Sequence, residues 1–560
     1  MLTQSLQAKV LMFTRKYVTA TMKWPGRLCL AVAIHFLSPV AYGEISCGVA
    51  SSDLDVPLRA SIEQTVRALP AQVSARLTTF YKKCDYMPAW IAGSQLSMQS
   101  VFVEDALRHS ESKGLRMADY LIPERPQSQA MANTESSIRQ FSEYDVLLTV
   151  AALRLVSDLR CGRVSPKEAR ADILDTCEAF DVTAALWTLA QSSHPEGDLS
   201  SLEPSAPGYT RTKAGMERYR DLLSRAPKNY PAFQEISGAE LTSPSMTPIR
   251  QRLALEGDLA ESSGDGNSGA QVGDALGSFQ ERHGIFRTGK LDRATYAQLS
   301  SPIESELRQL ELTMERWRWI ERSFPRPPVV VNIPEFRLRA YDEHLNVTLN
   351  MKVIVGGAYH KHTPVFQNSI SSIVFRPYWN VPPSIQNREL LPLSRKNPTY
   401  LSRHGFEFVS GEHGEMRIRQ RPGEANALGL IKFSLPNTHN VYLHDTPTPQ
   451  LFDKVRRDFS HGCIRVQNPS ALAAWIMRDE TGWDEQRIEG SMHGATTFTV
   501  QLGQATPVLI VYATGFVGED GIAYFLPDIY GEDRELEQQL DEVTRRRNHE
   551  DLMIAHELVR

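Results

Sequence analysis

The spacing of apolar residues changes period near residue 327, and that change divides the chain into two kinds of structure. Upstream, residues 61–69, 101–109, 142–160 and 183–191 carry apolar side chains at helical spacing. Ser142, with Asp145 three residues on, reads as the opening of the third helix in the manner of a capping box. Downstream, Leu345, Val347, Leu349, Met351, Val353 and Val355 alternate with Asn346, Thr348, Asn350, Lys352 and Ile354, the two-residue period of a half-buried antiparallel strand. Further strands are expected at 329–333, 336–341, 373–376, 441–444, 497–502 and 507–513. A polar, helix-prone stretch at 385–421 interrupts them as an insertion. The expected fold is therefore multidomain α+β: a helical scaffold over 44–240, a small helical module over 246–300, a mainly β domain over 327–515 and an extension over 516–560. The charged end of that extension, from Asp533, reads most simply as a solvated helix, or else as a docking element for a partner.

Charge is distributed as unevenly as period. Residues 1–43 carry Lys9, Arg15, Lys16, Lys23 and Arg27 and no acid. An apolar run at 28–37 follows, and Ala41 and Gly43 place small residues before a cut at Glu44, the order of a secretory signal peptide. A run of ten residues is too short to span a bilayer, which takes about 20. The rest of the chain has 56 basic against 66 acidic side chains, a net charge of −10. That balance argues against nucleic acid or an anionic membrane surface as a partner. Glu44 stands where a lipoprotein signal has an aliphatic residue, three places before the cysteine, so Cys47 is not expected to anchor the chain to a membrane.

Export sets the reading of the cysteines. With Cys29 removed, Cys47, Cys84, Cys161 and Cys177 cluster early in the chain. Proximity favours Cys47–Cys84 and Cys161–Cys177 among the three possible pairings. Cys463 stands alone downstream, in Ser460-His461-Gly462-Cys463-Ile464-Arg465, and His444 precedes it by 19 residues. A thiol beside an imidazole performs acyl transfer: the ring takes the thiol proton and later returns one to the leaving amine. A base at a strand end and a nucleophile on the returning turn would meet, with Gly462 allowing the tight turn. Arg465 would favour thiolate over thiol and could stabilise an oxyanion or bind a substrate carboxylate. Asp445 follows His444 directly, so on a strand it should face the other way. A zinc site built from His444, His461 and Cys463 is the rival chemistry, but no fourth ligand cluster is nearby.

Two resemblances extend this reading. Residues 246–300, with Phe279-Gln280, then His283-Gly284, then Gly289 and Thr295, resemble the three-helix peptidoglycan-binding module of bacterial wall enzymes, apart from a long polar loop at 261–273. His444, fifteen intervening residues and Ser460-His461-Gly462-Cys463 resemble the signature of the L,D-transpeptidases. Tyr378-Trp379-Asn380-Val381-Pro382, Asn426-Ala427-Leu428-Gly429, Ile431-Lys432-Phe433 and Tyr442-Leu443-His444-Asp445-Thr446-Pro447 agree with it, and the whole is similar to the large Gram-negative type. The resemblance implies Cys463 as nucleophile and His444 as general base and acid. Ser460, His461, Gly462 and Arg465 are implied as supporting or oxyanion residues, and Tyr442, Trp379 and Asn380 as substrate-binding ones. It implies an imidazole oriented by a carbonyl of the 460–462 turn, and no metal or organic cofactor. It also implies a periplasmic location, stem peptides and glycan strands as partners, other wall synthases as further candidates, and the 385–421 insertion as a lid. Attachment or removal of wall-linked lipoprotein, L,D-carboxypeptidase action and a non-catalytic wall binder remain alternative outcomes.

Overall fold

The computed structural model describes residues 54–260, 267–357, 361–411 and 414–559. The signal-peptide reading of 1–43, the Cys47–Cys84 pairing through Cys47, and part of the 261–273 loop lie outside the described residues.

The longest helix of the N-terminal region, Glu135–Cys161, has an apolar face that packs on Asp55–Ala68, Ala71–Lys82 and Val182–Ala190. Its cap is Thr134, not Ser142. Ser142 and Asp145 are buried in mid-helix, because other elements supply their partners. Ser142 Oγ lies 2.7 Å from Ser61 Oγ, and the Asp145 carboxylate accepts from Trp90 N at 2.8 Å and Tyr81 Oη at 2.7 Å. Cys161, at the end of this helix, is disulfide-bonded to Cys177.

The module at 247–299 has three helices, Thr247–Glu256, Gly269–Arg282 and Arg293–Leu299. Its Phe-Gln pair has a physical role. Phe279 fills the core, while the buried Gln280 amide accepts from Thr288 N and Gly289 N and donates to Thr295 Oγ1, closing the turn between two helices. Glu256, His283 and Glu306 converge in the interior, where Arg252 and Arg282 pair with the carboxylates. His283 thereby ties the module to the helix Ile303–Trp317.

Beyond that helix the chain closes an eight-stranded barrel. Its circular order is Ile431–Ser434, Leu443–His444, Ile464–Val466, Val347–Ile354, Arg337–Tyr341, Val329–Asn332, Phe498–Val511 and Phe366–Phe375. Closure leaves no exposed strand edge. Met351, Val353 and Val355 point inward as the alternation requires, but Leu345 does not join the strand. It sits at φ +60° in a turn that the Asp342 carboxylate closes by accepting from His344 N and Asn346 N.

The insertion is less helical than its composition suggests. Short helical turns over 383–403 lead into a hairpin, Phe406–Ser410 with Met416–Gln420, and Trp379–Asn380 adds a third strand. Charged cross-strand partners such as Glu407 and Arg419 mask the alternation of that hairpin, whose Ile418 packs with Val381, Ile385, Leu390 and Leu401.

The C-terminal extension packs one face against the rest of the chain and is solvated only on the other. A hairpin, Gly515–Val517 with Ala523–Phe525, buries Val517 and Phe525 against Tyr209, Met216 and Leu310. The helix Glu532–Val559 then lies on the N-terminal region, with Leu536, Leu540 and Val543 packed among Val164, Leu312 and Trp319. Arg547 donates to both Asp158 oxygens at 2.7 Å.

Candidate active site

Register decides which side chains meet. Leu443–His444 and Ile464–Val466 run parallel, with Leu443 opposite Ile464 and His444 opposite Arg465. Lys432, on the antiparallel neighbour, lies opposite His444 on its other side. Ile431, Phe433, Leu443, Ile464 and Val466 belong to the barrel core. Their alternates Lys432, Tyr442, His444, Cys463 and Arg465 therefore share the outer wall. Tyr442 packs edge-on to His444, ring centroids 5.7 Å apart, and its hydroxyl interacts with Cys463 and with Trp379. Trp379 lies just before the insertion, pairs with its hairpin, and joins the group through its contact with Tyr442. Asn380, next on the strand, is exposed and outside it.

The turn before Cys463 is held mainly by side-chain bonds to its backbone. Gly462 takes φ +107°, a conformation that favours glycine. Ser460 Oγ donates to Cys463 O at 2.5 Å and accepts from Gly462 N at 3.2 Å. Thr363 Oγ1 donates to Gly462 O at 2.8 Å and accepts from Gly356 N at 2.9 Å. Tyr530 Oη in turn donates to Gly356 O at 2.7 Å, so the extension reaches the turn. The sequence alone assigns no role to Thr363, Tyr530 or Lys432. Only Lys432 left a signal, as a cation between apolar Ile431 and Phe433, hence outward on a core strand.

His461 does not support this turn. Its Nε2 points outward, 2.8 Å from Glu389 Oε1 on the insertion. Accordingly His444, His461 and Cys463 do not converge as a metal-ligand set among the described residues. The carbonyl that orients His444 is also not in the 460–462 turn: Nδ1 donates to Asp445 O at 2.6 Å, leaving Nε2 as the basic nitrogen. The Asp445 carboxylate faces the other way and accepts from Leu430 N.

Electrostatics set the resting protonation. His444 is 4% exposed, and burial, reinforced by the Arg465 and Lys432 charges, pushes its pKa down to about 3. Burial also raises the Cys463 thiol, outweighing Tyr442, Lys432 and Arg465, which favour the thiolate. At rest the pair is thiol and neutral imidazole, so the thiolate expected from Arg465 alone does not prevail.

Replacing Thr363 by valine leaves Gly462 O and Gly356 N without this partner. Such an orphaning costs about 1–3 kcal/mol. Urea unfolding is expected to show that loss for Thr363→Val and little for Thr363→Ser; equal losses in both would assign the effect to packing.

The closed barrel thus carries a half-buried Cys and a buried His on its outer wall, with the insertion's Glu389 bonded to the neighbouring His461. Residues 327–510 match the family described as L,D-transpeptidase catalytic domain. Residues 242–299 match the family described as "Putative peptidoglycan binding domain", and residues 75–216 that described as "Scaffold domain". The chain thus carries an L,D-transpeptidase catalytic domain, of an acyl-transferring class, behind a peptidoglycan-binding domain. A Haemophilus influenzae protein named "Putative L,D-transpeptidase" is 33% identical over 224 residues, covering 37% of this chain. The match spans 45% of that relative, less than half its length.

Proposed function

We propose that this chain is a periplasmic L,D-transpeptidase that forms 3→3 cross-links in peptidoglycan. The observation that carries the reading is the shared outer wall of Cys463 and His444 on adjacent parallel strands. The neutral His444 Nε2 takes the thiol proton as Cys463 Sγ attacks the carbonyl of the third residue of a tetrapeptide stem. The same proton passes to the departing amine as the amide bond breaks, D-Ala leaves and a thioester remains. The side-chain amine of a third residue on a neighbouring stem then attacks the thioester, gives its proton to His444 and restores the thiol. Tyr442 and Trp379 line the donor site, and Ser460, Gly462 and Thr363 hold the nucleophile turn. The insertion covers the site and limits access of water, whose attack would give carboxypeptidase action instead. The signal-like residues 1–43 and the peptidoglycan-binding domain support the location. No helix among the described residues is long and apolar enough to cross a membrane.

Muropeptide mass spectrometry after expression of the wild type and Cys463→Ala tests this. Dimers with 3→3 links are expected to rise only with the wild type, and a carbapenem mass adduct only on the chain that keeps Cys463. An equal rise in both strains refutes the mechanism, and lipoprotein-linked or tripeptide products without dimers would point to the alternative uses of the same thiol.

A further inference from the structure

Lys432 and Arg465 flank His444 on the outer wall, one on each neighbouring strand. Both are half-buried. No carboxylate among the described residues is paired with either. The acids on the adjoining segments are engaged elsewhere: Asp445 with Leu430 N, Glu389 with His461 and Asp458 with Arg456. Lys432 Nζ rests 4.1 Å from the centroid of the Tyr442 ring. Arg465 Nη1 makes a 3.5 Å contact with Thr448 Oγ1, while its Nε is buried without a hydrogen-bond partner.

Burying an unpaired charge is costly, and two like charges around one imidazole compound that cost. Burial accordingly lowers the pKa of both cations. The thiol stays protonated at rest, so it does not supply the missing anion. What completes such a pocket is a negative group brought by the ligand.

We propose that Lys432 and Arg465 form a carboxylate-binding subsite for the donor peptide, beside the carbonyl that Cys463 attacks. This rests on the reading of the site as one that takes a stem peptide. A tetrapeptide offers the C-terminal carboxylate of its leaving residue, one residue beyond the scissile carbonyl, and any carboxylate on the side chain of its third residue. Either would neutralise the pocket and set the register of the peptide against the thiol. Where the C-terminal carboxylate is the one held, a peptide longer by one residue places it beyond that point, and the pair then selects donor length as well.

The test is calorimetric titration of the full chain carrying Cys463→Ala with three synthetic tetrapeptides: the free acid, its C-terminal amide and its third-residue side-chain amide. One amide is expected to bind about tenfold more weakly than the acid, and which one it is identifies the carboxylate. Lys432→Met, and separately Arg465→Gln, should weaken the acid by about tenfold and leave that amide unchanged, with Lys432→Arg restoring much of the loss. The subsite is overturned if all three peptides bind alike, if Lys432→Met weakens all three equally, or if the acid does not bind. Turnover of the acid by the chain with Cys463 intact is a separate readout. Discrimination without turnover sinks the transferase reading alone, and turnover without discrimination sinks the subsite alone.

Discussion

Replacing His444 by glutamine is expected to slow acylation of Cys463 by about a thousandfold, within the range that general-base catalysis contributes. Glutamine keeps a side-chain amide near Asp445 O but offers no basic nitrogen to take the thiol proton. The accompanying pH profile is the sharper measurement. An imidazole at its ordinary pKa would lose the base form as pH falls through about 6.5. His444, held down to about 3, keeps its free base above that value. The acidic limb of kcat/KM therefore moves well below 6.5, and the profile is expected to stay level from about pH 5 to the alkaline side where the thiol itself ionises. Initial acylation rates at constant ionic strength measure this. A tenfold fall per unit below 6.5 would show an imidazole open to water and reject the buried neutral pair.

The second large effect lies far from the thiol. Asp158 is fully buried, accepts both Arg547 nitrogens at 2.7 Å and takes the Tyr120 hydroxyl at 2.8 Å. Asp158→Ala strands the Arg547 guanidinium in the interior and leaves the tyrosine hydroxyl without this acceptor. Removing one partner of a buried ion pair costs about 3–5 kcal/mol. Urea unfolding should register a loss of that size, and Asp158→Leu combined with Arg547→Met should recover most of it, because an apolar pair leaves no buried charge. A loss below about 1 kcal/mol, the range of exposed pairs, would return the C-terminal helix to the solvated state its charge content suggests.

That helix shows what the sequence displays and what it hides. Its composition argues for solvent, yet Leu536, Leu540 and Val543 recur at the spacing of one helix face, and their partners Val164, Leu312 and Trp319 are distant in sequence. The barrel was easier to read, because alternation is local: Met351, Val353 and Val355 point inward as their spacing requires. Leu345 misleads by continuing the alternation into a turn that the Asp342 carboxylate closes. Ser142 and Asp145 mislead likewise, since a capping residue and a buried hydrogen-bonding residue are the same chemical types. At the site, spacing brought Cys463 and His444 forward, and parity on their strands explains why Tyr442 and Arg465 join them. Nothing local marks Thr363 or Tyr530 as supports of the turn, because they act through hydrogen bonds to Gly462 and Gly356 across long stretches of chain. The carbonyl that orients His444 is backbone and leaves no trace in residue identity. The contact of His461 with Glu389 joins two segments that only the folded insertion brings together.

The two sides of the barrel wall have a consequence for how this chain tolerates change. Interior residues Phe433, Leu443 and Ile464 belong to the barrel core, and their outward neighbours Lys432, Tyr442, His444, Cys463 and Arg465 line the polar outer wall. Substitutions on one side are thus largely insulated from the other, so volume inside and charge outside are free to vary separately. Insertion or deletion of one residue is another matter. A single-residue slip ahead of Ile464 exchanges the two sides along that strand, turning the thiol toward the core and an aliphatic chain toward the outer wall. Length between Asp458 and Ile464 is therefore under tighter constraint than the identity of any one exposed residue within it.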